Sequence, residues 1–215
     1  MVIKLAQFFF VTVILLCSLS FNAVCTNIIN TDDNNLRLIK LYYENQSGEK
    51  GLTTFDYDEK GLMHKAHWQL NDGSRSSENF YTYDDEQKLI KKYREFSDGI
   101  YSTQLYNYNE KGNLISEHFN RSDGVSGTTD YKYDENENLI KAICSGLAGW
   151  FYGTIIYKYD INGRKSKGII EKDEKNIGTI NFEYDTSGNL IKEYWEFPGS
   201  WHQTFIYEYE KVKRD

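Results

Sequence analysis

Apolar and polar residues alternate along most of this chain with a period of two. In Gln104-Leu105-Tyr106-Asn107-Tyr108, residues 104, 106 and 108 fall on one side of an extended strand and residues 105 and 107 on the other. The aromatic side recurs as Thr53, Phe55 and Tyr57; Ile155, Tyr157 and Tyr159; Ile180, Phe182 and Tyr184; and Phe205, Tyr207 and Tyr209. Asp56, Lys132, Lys158, Glu183 and Glu208 stand on the opposite side. One face is therefore ring-bearing and the other wet.

Each such run ends in a turn. Asp58-Glu59-Lys60-Gly61, Asn109-Glu110-Lys111-Gly112, Asp160-Ile161-Asn162-Gly163 and Asp185-Thr186-Ser187-Gly188 open on a side chain that can cap the backbone two residues on. They close on a glycine suited to positive φ before a bulge. Two copies place Gln87 and Glu137 where glycine is wanted, which predicts turns that are strained or wider. A return strand follows, beginning Leu62-Met63, Leu89-Ile90, Leu114-Ile115, Leu139-Ile140 or Leu190-Ile191, with a degenerate copy at Arg164-Lys165. Because a bulge shifts parity, the sequence leaves open which return-strand residue faces the core. A second reversal is read at Asp72-Gly73, Asp98-Gly99, Asp123-Gly124, Gly149, Gly178 and Pro198-Gly199.

The second aromatic of each copy falls at Tyr57, Tyr83, Tyr108, Tyr133, Tyr159, Tyr184 and Tyr209, 25 or 26 residues apart throughout. A period of that size marks one supersecondary unit, here a hairpin, that cannot bury its ring-bearing face alone. Short connections force antiparallel neighbours. The expected fold is all-β: a meander of about fourteen strands of roughly eight residues each, from Leu36 to Glu210, rolled into a curved sheet or barrel-like shell. A lysine-rich last strand with Lys211, Lys213 and Arg214 would protect an exposed edge. No helix is expected beyond the N-terminal leader.

That leader is a different text. Lys4 precedes an almost wholly apolar run from Phe8 to Leu19, which suits a secretory signal peptide over residues 1–25. Cleavage would fall after Cys25 or after Ser20. In a second reading Cys25 is the lipidated first residue of a lipoprotein, tethered by the polar linker of residues 26–34, with residues 35–215 as a single domain. Cys144 is the one cysteine certain to remain, so no internal disulfide framework is expected. Eighteen tyrosines and twelve phenylalanines against a single proline lean towards β structure. A net charge of −7 without a basic stripe argues against nucleic acid as a partner and against docking on anionic lipid.

The phrase Tyr-x-Tyr-Asp-x-x-Gly-Asn-Leu-Ile, nearly complete at Tyr106–Ile115 and Phe182–Ile191 and partial at five other sites, resembles the YD repeat of the Rhs family over about residues 50–210. The resemblance implies a bacterial secreted or cell-envelope β protein whose hairpins stack into a curled sheet. Large members of that family form shells around a toxin. This chain, which lacks the core protease segment and the toxin domain, resembles the small exported repeat-only members. Carbohydrate binding is an activity the resemblance implies.

Candidate chemistry is sparse. Asp134 to Asn138 alternates acids and amides, but Leu139 stands where a calcium loop needs glycine and Ser145 where it needs glutamate. His64 and His67 would point to opposite faces of a strand. No catalytic residue, metal site or cofactor is assigned, and the chain is read as a non-enzyme. Trp68, Trp150, Trp195 and Trp201 are the candidate ligand-binding residues, grouped towards one end of the sheet, where flat rings can stack on sugars or anchor a protein. The expected function is binding of a surface glycan or an envelope protein, or a structural role. Membrane association is expected only through an anchor at Cys25. The alternatives are a glycan hydrolase and an outer-membrane barrel; charge on both faces of Leu89–Phe96 speaks against the latter.

Overall fold

The YD turns fix the architecture locally. In a computed structural model that describes residues 36–146, 152–199 and 201–212, the Asp58 carboxylate accepts from the N–H groups of Lys60 and Leu62 at 2.9 and 2.8 Å. Asp84, Asn109, Asp134, Asp160 and Asp185 each cap their own turn in the same way. Gly61, Gly112, Gly163 and Gly188 hold φ between 75° and 87°. Gln87 and Glu137 adopt φ of 64° and 63° and keep the same backbone bond to Asp84 and Asp134, so those turns are strained rather than widened. Gln87→Gly and Glu137→Gly are each expected to stabilise the protein by about 0.5–1 kcal/mol, read as a raised urea midpoint at constant slope; Gly112→Gln should lower it.

Fourteen antiparallel strands result among the described residues: β1 (Leu36–Asn45), β2 (Lys50–Tyr57), β3 (Met63–Leu70), β4 (Ser76–Tyr83), β5 (Leu89–Phe96), β6 (Tyr101–Tyr108), β7 (Leu114–Arg121), β8 (Ser126–Tyr133), β9 (Leu139–Ser145), β10 (Gly153–Tyr159), β11 (Lys165–Lys172), β12 (Lys175–Tyr184), β13 (Leu190–Glu196) and β14 (His202–Lys211). No helix occurs among the described residues. Consecutive strands pair and β1 pairs with β14, which closes the sheet into a barrel. The leader, Cys25, Gly149, Trp150, Lys213 and Arg214 lie outside the described residues. With β14 paired along its length there is no free edge for a lysine to guard.

Every YD hairpin carries a bulge at one register position. Tyr108 opposes Leu114 while Asn107 opposes Ser116, leaving Ile115 as the extra residue. His64, Ile90, Ile140, Ser166 and Ile191 are extra at the matching places. The leucine of each Leu-Ile pair therefore turns inward and the isoleucine outward. Register also corrects the first copy: Met63, opposite Tyr57, takes the leucine position, and Leu62 closes the turn. The fifth second-type turn is likewise at Asp173-Glu174, both at positive φ, and not at Gly178. Gly178 lies inside β12, where an added Cβ would come within 2.5 Å of the Glu196 carbonyl. That glycine serves close backbone approach rather than reversal.

The bulge gives the repeated tyrosine its partner. Tyr83 donates its hydroxyl to the Met63 carbonyl, Tyr108 to Leu89, Tyr133 to Leu114, Tyr159 to Leu139, Tyr184 to Lys165 and Tyr209 to Leu190, at 2.8–2.9 Å. Each ring thus staples its own hairpin to the preceding one. Tyr57 reaches the Leu38 carbonyl at 2.6 Å and completes the circle. Leu38 sits opposite Tyr209, and β1 has its own register shift between Leu38 and Lys40. β1 is therefore the missing return strand of the last hairpin, supplied from the other end of the chain. Arg37–Glu210 and Lys40–Glu208 ion pairs flank the seam.

The ring-bearing face lines the interior. Leu38, Ile155 and Phe205 are fully buried, and the first aromatics Phe55, Tyr81, Tyr106, Tyr131, Tyr157 and Tyr207 join them in one cluster. The outer face carries Lys65, Glu78, Lys91, Asp130, Lys167 and Glu208 on mid-strand positions. A barrel spanning a bilayer has the reverse polarity, with apolar residues outward.

Candidate functional site

Two groups of residues depart from what the repeat requires for packing. The first is inside. On β4 to β8 the inward positions hold Asn79, Lys92, Arg94, Gln104, Glu117 and Thr129, all buried. The Arg94 Nε donates to Ser77 Oγ at 2.8 Å, and its guanidinium lies 4.4 Å from the Phe96 ring centre and 5.3 Å from that of Trp68. Glu117 stands among Lys92, Gln104, Thr129 and Tyr131. Burial pushes its carboxyl up to about 7, against the pull of the Lys92 charge and of bonds from the other three. Across the barrel, Glu193 accepts from Trp195 Nε1 at 3.0 Å and from the Tyr207 hydroxyl at 2.9 Å. Burial raises its carboxyl as well, and it pushes the neighbouring Lys165 ammonium, 4.7 Å from the Tyr157 ring centre, down to about 8.

Raised carboxyls suit general acids. Glu117 and Glu193 are only 4% and 1% exposed, however, so a substrate would have to displace packed rings to reach them. On this geometry Glu193 accepts the hydrogen bonds of the buried Trp195 indole and Tyr207 hydroxyl, which would otherwise lack a partner in the core. Ala66, Ala142, Gly168 and Leu41 occupy the register positions equivalent to Lys92, Glu117 and Glu193, so the repeat itself does not need charge there. The sequence reading missed this network because the bulge hid the parity of the return strands.

The buried carboxyl makes stability depend on pH. The folded chain holds the Glu117 proton to about pH 7, whereas an unperturbed glutamate releases it near 4.5. Its contribution is complete below about pH 4.5 and is lost as pH rises through 7, by on the order of 3 kcal/mol. Denaturant titrations should show wild type weakening between pH 5 and 8 and Glu117→Gln flattening that slope. An unchanged slope in the variant would remove Glu117 as its source.

Of the indoles nominated from the sequence, Trp68 and Trp195 are buried, 6% and 1% exposed, and present no open ring to a ligand. Trp201 is half-buried, edge-on to Phe197 with ring centres 5.0 Å apart, and Trp150 lies outside the described residues. Cys144 is buried and its thiol is pushed up to about 12 by that burial, which suits a packing role. His67 bonds Glu78 through Nδ1 at 2.8 Å. Among the described residues no three His, Cys, Asp or Glu side chains are grouped to hold a metal.

The second group is outside. Phe80 on β4, Tyr93 on β5 and Tyr101 on β6 project from the wet face and form a row, with ring centres 6.3 and 6.0 Å apart. Phe80 and Tyr101 are 41% and 49% exposed. The Lys65 ammonium lies 5.7 Å from the Phe80 ring centre and pairs with Glu78 at 3.1 Å. Register places Thr54, Asp130 and Asn181, but also Leu105, Ile156 and Ile206, where Phe80 stands; His67 and His118, but also Tyr42, Ile143, Ile169 and Tyr194, where Tyr93 stands; and Ser76 and Ser126 where Tyr101 stands. Packing accepts polar residues at all three places, so the fold does not require a ring at any of them. The signal was legible as three aromatics on the polar side of two successive copies, but only the hairpin register brings them side by side.

Comparison with known proteins follows the architecture. A porin-like protein from Bacteroides uniformis shares the fold with a TM-score of 0.52 at 11% identity, over 80% of this chain and 98% of that one. The TcdB2-TccC3-Cdc42 structure aligns with a TM-score of 0.35 and 18% identity over 72% of this chain, and the Tc holotoxin pore of Photorhabdus luminescens with 0.34 and 17% over 76%. This chain spans only 9% of either toxin-complex chain. No curated protein matches it. The family model described as Teneurin YD-shell matches residues 14–214, almost the whole sequence, and this chain, with its seven stapled hairpins, belongs to the Teneurin YD-shell family.

Proposed function

We propose that this chain is an exported, non-catalytic shell barrel that works outside the cytoplasm as a rigid module, holding a surface glycan or an envelope protein on its outer face. The observation that carries the reading is the outward row of Phe80, Tyr93 and Tyr101, set on a closed sheet whose buried charges are sealed from solvent. Large exposed rings that packing does not require mark interaction surfaces. Export is supported by the apolar run from Phe8 to Leu19 behind Lys4, and a lipid on Cys25 would hold the barrel at a membrane through the polar linker after it. Intact-mass measurement of the exported chain distinguishes a lipidated Cys25 from plain cleavage.

The exported chain is expected to be retained on envelope material, and the triple variant Phe80→Ser, Tyr93→Ser, Tyr101→Ser to wash off while unfolding at the wild-type temperature. Wild type that fails to bind ends the reading. A hydrolase reading would be favoured instead by release of sugar from envelope glycan that Glu117→Gln or Glu193→Gln abolishes.

A further inference from the structure

We propose that the β8–β11 side of the barrel docks on a membrane surface of anionic phospholipid, with Ile161 entering the headgroup layer and Lys132, Lys141, Lys158 and Lys167 facing the phosphates. This is a surface contact and not a span. The row of Phe80, Tyr93 and Tyr101 on β4 to β6 takes no part in it, so either can fail without the other.

Register places the lysines. On the outer face of each hairpin, the last residue before the second tyrosine opposes the first regular residue after the bulge. In three hairpins that pair is an acid against a lysine: Asp56 and Lys65, Glu183 and Lys192, Glu208 and Lys40. Glu183–Lys192 and Glu208–Lys40 are ion pairs at 2.8 and 3.1 Å, and Lys65 reaches Glu78 at 3.1 Å. In the two hairpins of β8 to β11 both members are lysine: Lys132 opposes Lys141, and Lys158 opposes Lys167. Like charges set directly across a sheet destabilise it. Other copies carry an acid at the first place, so the fold has no need of Lys132 or Lys158. The two pairs adjoin, because Lys141 faces Ile156, two residues from Lys158. None of the four forms an ion pair among the described residues, and Lys132, Lys158 and Lys167 are exposed. Residues 126–172 hold seven Lys and Arg against six Asp and Glu, in a chain with 25 against 32. The sequence shows no basic stripe because the four lysines lie 9, 17 and 9 residues apart. The sheet gathers them, and net charge does not describe this face.

The second feature is the tip of the β10–β11 turn. Ile161 is 99% exposed there. The five other turns of this type carry Glu59, Asp85, Glu110, Glu135 and Thr186 at that place, so the turn itself needs no apolar residue. Asp160 caps the N–H groups of Asn162 and Arg164 at 2.9 Å each, which presents the tip on a firm turn. Nucleic acid offers phosphates to lysines and bases to aromatic rings, but nothing to a projecting aliphatic side chain. A protein partner would need a pocket shaped for it. A bilayer needs none: the apolar side chain enters the interface while lysines beside it stay among the headgroups. Of the nearby carboxylates, Asp160 is paired with Arg164 and Glu137 with Lys111, at 2.9 and 2.8 Å. Asp130 and Glu135 remain to oppose the four lysines.

The experiment is co-sedimentation of the full exported chain with vesicles of phosphatidylcholine alone and of phosphatidylcholine with phosphatidylglycerol. A lipid on Cys25 would raise binding to both alike, so the result is read in the difference. Wild type is expected to bind the phosphatidylglycerol vesicles at least about ten-fold more tightly at low salt, a preference that shrinks as salt rises. The double variant Lys132→Glu, Lys158→Glu copies the acid–lysine pairs of the other hairpins. It should melt no lower than wild type by circular dichroism and lose the preference. Ile161→Ser should weaken binding several-fold and leave the melt unchanged. Equal binding of wild type to the two vesicle types overturns the proposal, as does a preference that survives in the double variant or wild-type binding by Ile161→Ser. Lysine-dependent capture of soluble polyphosphate, with no vesicle bound, overturns the membrane assignment.

Discussion

Deletion of residues 36–44 is expected to abolish the monomeric barrel. β1 contributes Leu38, Leu41 and Tyr43 to the core, all nearly fully buried. Burial of each side chain is worth about 1.5–3 kcal/mol, and the three together rival the 5–15 kcal/mol that holds a typical domain folded. The deletion also uncovers the backbone of β2 and of β14, two long strands whose free edges invite pairing with another chain. Size-exclusion chromatography with light scattering should therefore find oligomers or aggregate in place of a monomer. A permuted chain tests the cause. Joining Tyr209 to Leu38 through the five-residue turn copied from residues 109–113, and opening the chain between Asn45 and Lys50, preserves every strand and gives the seventh hairpin a covalent turn. That chain should be monomeric and at least as stable as wild type. If it too fails to fold, the seam is not simply an interrupted hairpin.

Trp195→Ala should cost about 5 kcal/mol, at the upper end for removal of a large buried aromatic. Two effects add. The indole leaves a cavity in a core where Trp195 is 1% exposed, and Glu193 loses the Nε1–H donor at 3.0 Å while remaining buried. Trp195→Phe separates them: it fills most of the space and removes the donor, so about 1–3 kcal/mol of the loss should remain. Guanidinium unfolding of the three proteins measures both parts; equal stability of Trp195→Phe and wild type would deny the Trp195–Glu193 bond any energetic role.

The closed seam and the buried network differ in how far they could be foreseen. The 25-residue spacing of Tyr57 to Tyr209 announced seven hairpins, because a strand that alternates Tyr-x-Tyr with polar residues has one face to bury and its neighbours must match it. Asp or Asn five residues ahead of each return strand announced the turns, because its side chain caps nearby N–H groups without help from the rest of the fold. Such features act within one hairpin and are written in adjacent residues.

What needed the folded molecule was every relation between distant residues. Leu36-Arg37-Leu38-Ile39 bears the Leu-Ile signature of a return strand, yet its outgoing partner is about 170 residues away, and no local pattern says the last strand will meet the first. Likewise, whether Lys92, Glu117 and Glu193 point inward depends on one bulged residue per hairpin: a single extra position reverses the face of everything after it. Local alternation therefore determined that this chain would be a string of two-strand modules with buried rings, while closure of the circle, the charges sealed within it and the three rings gathered on its surface were decided by register between strands, which exists only once the barrel is formed.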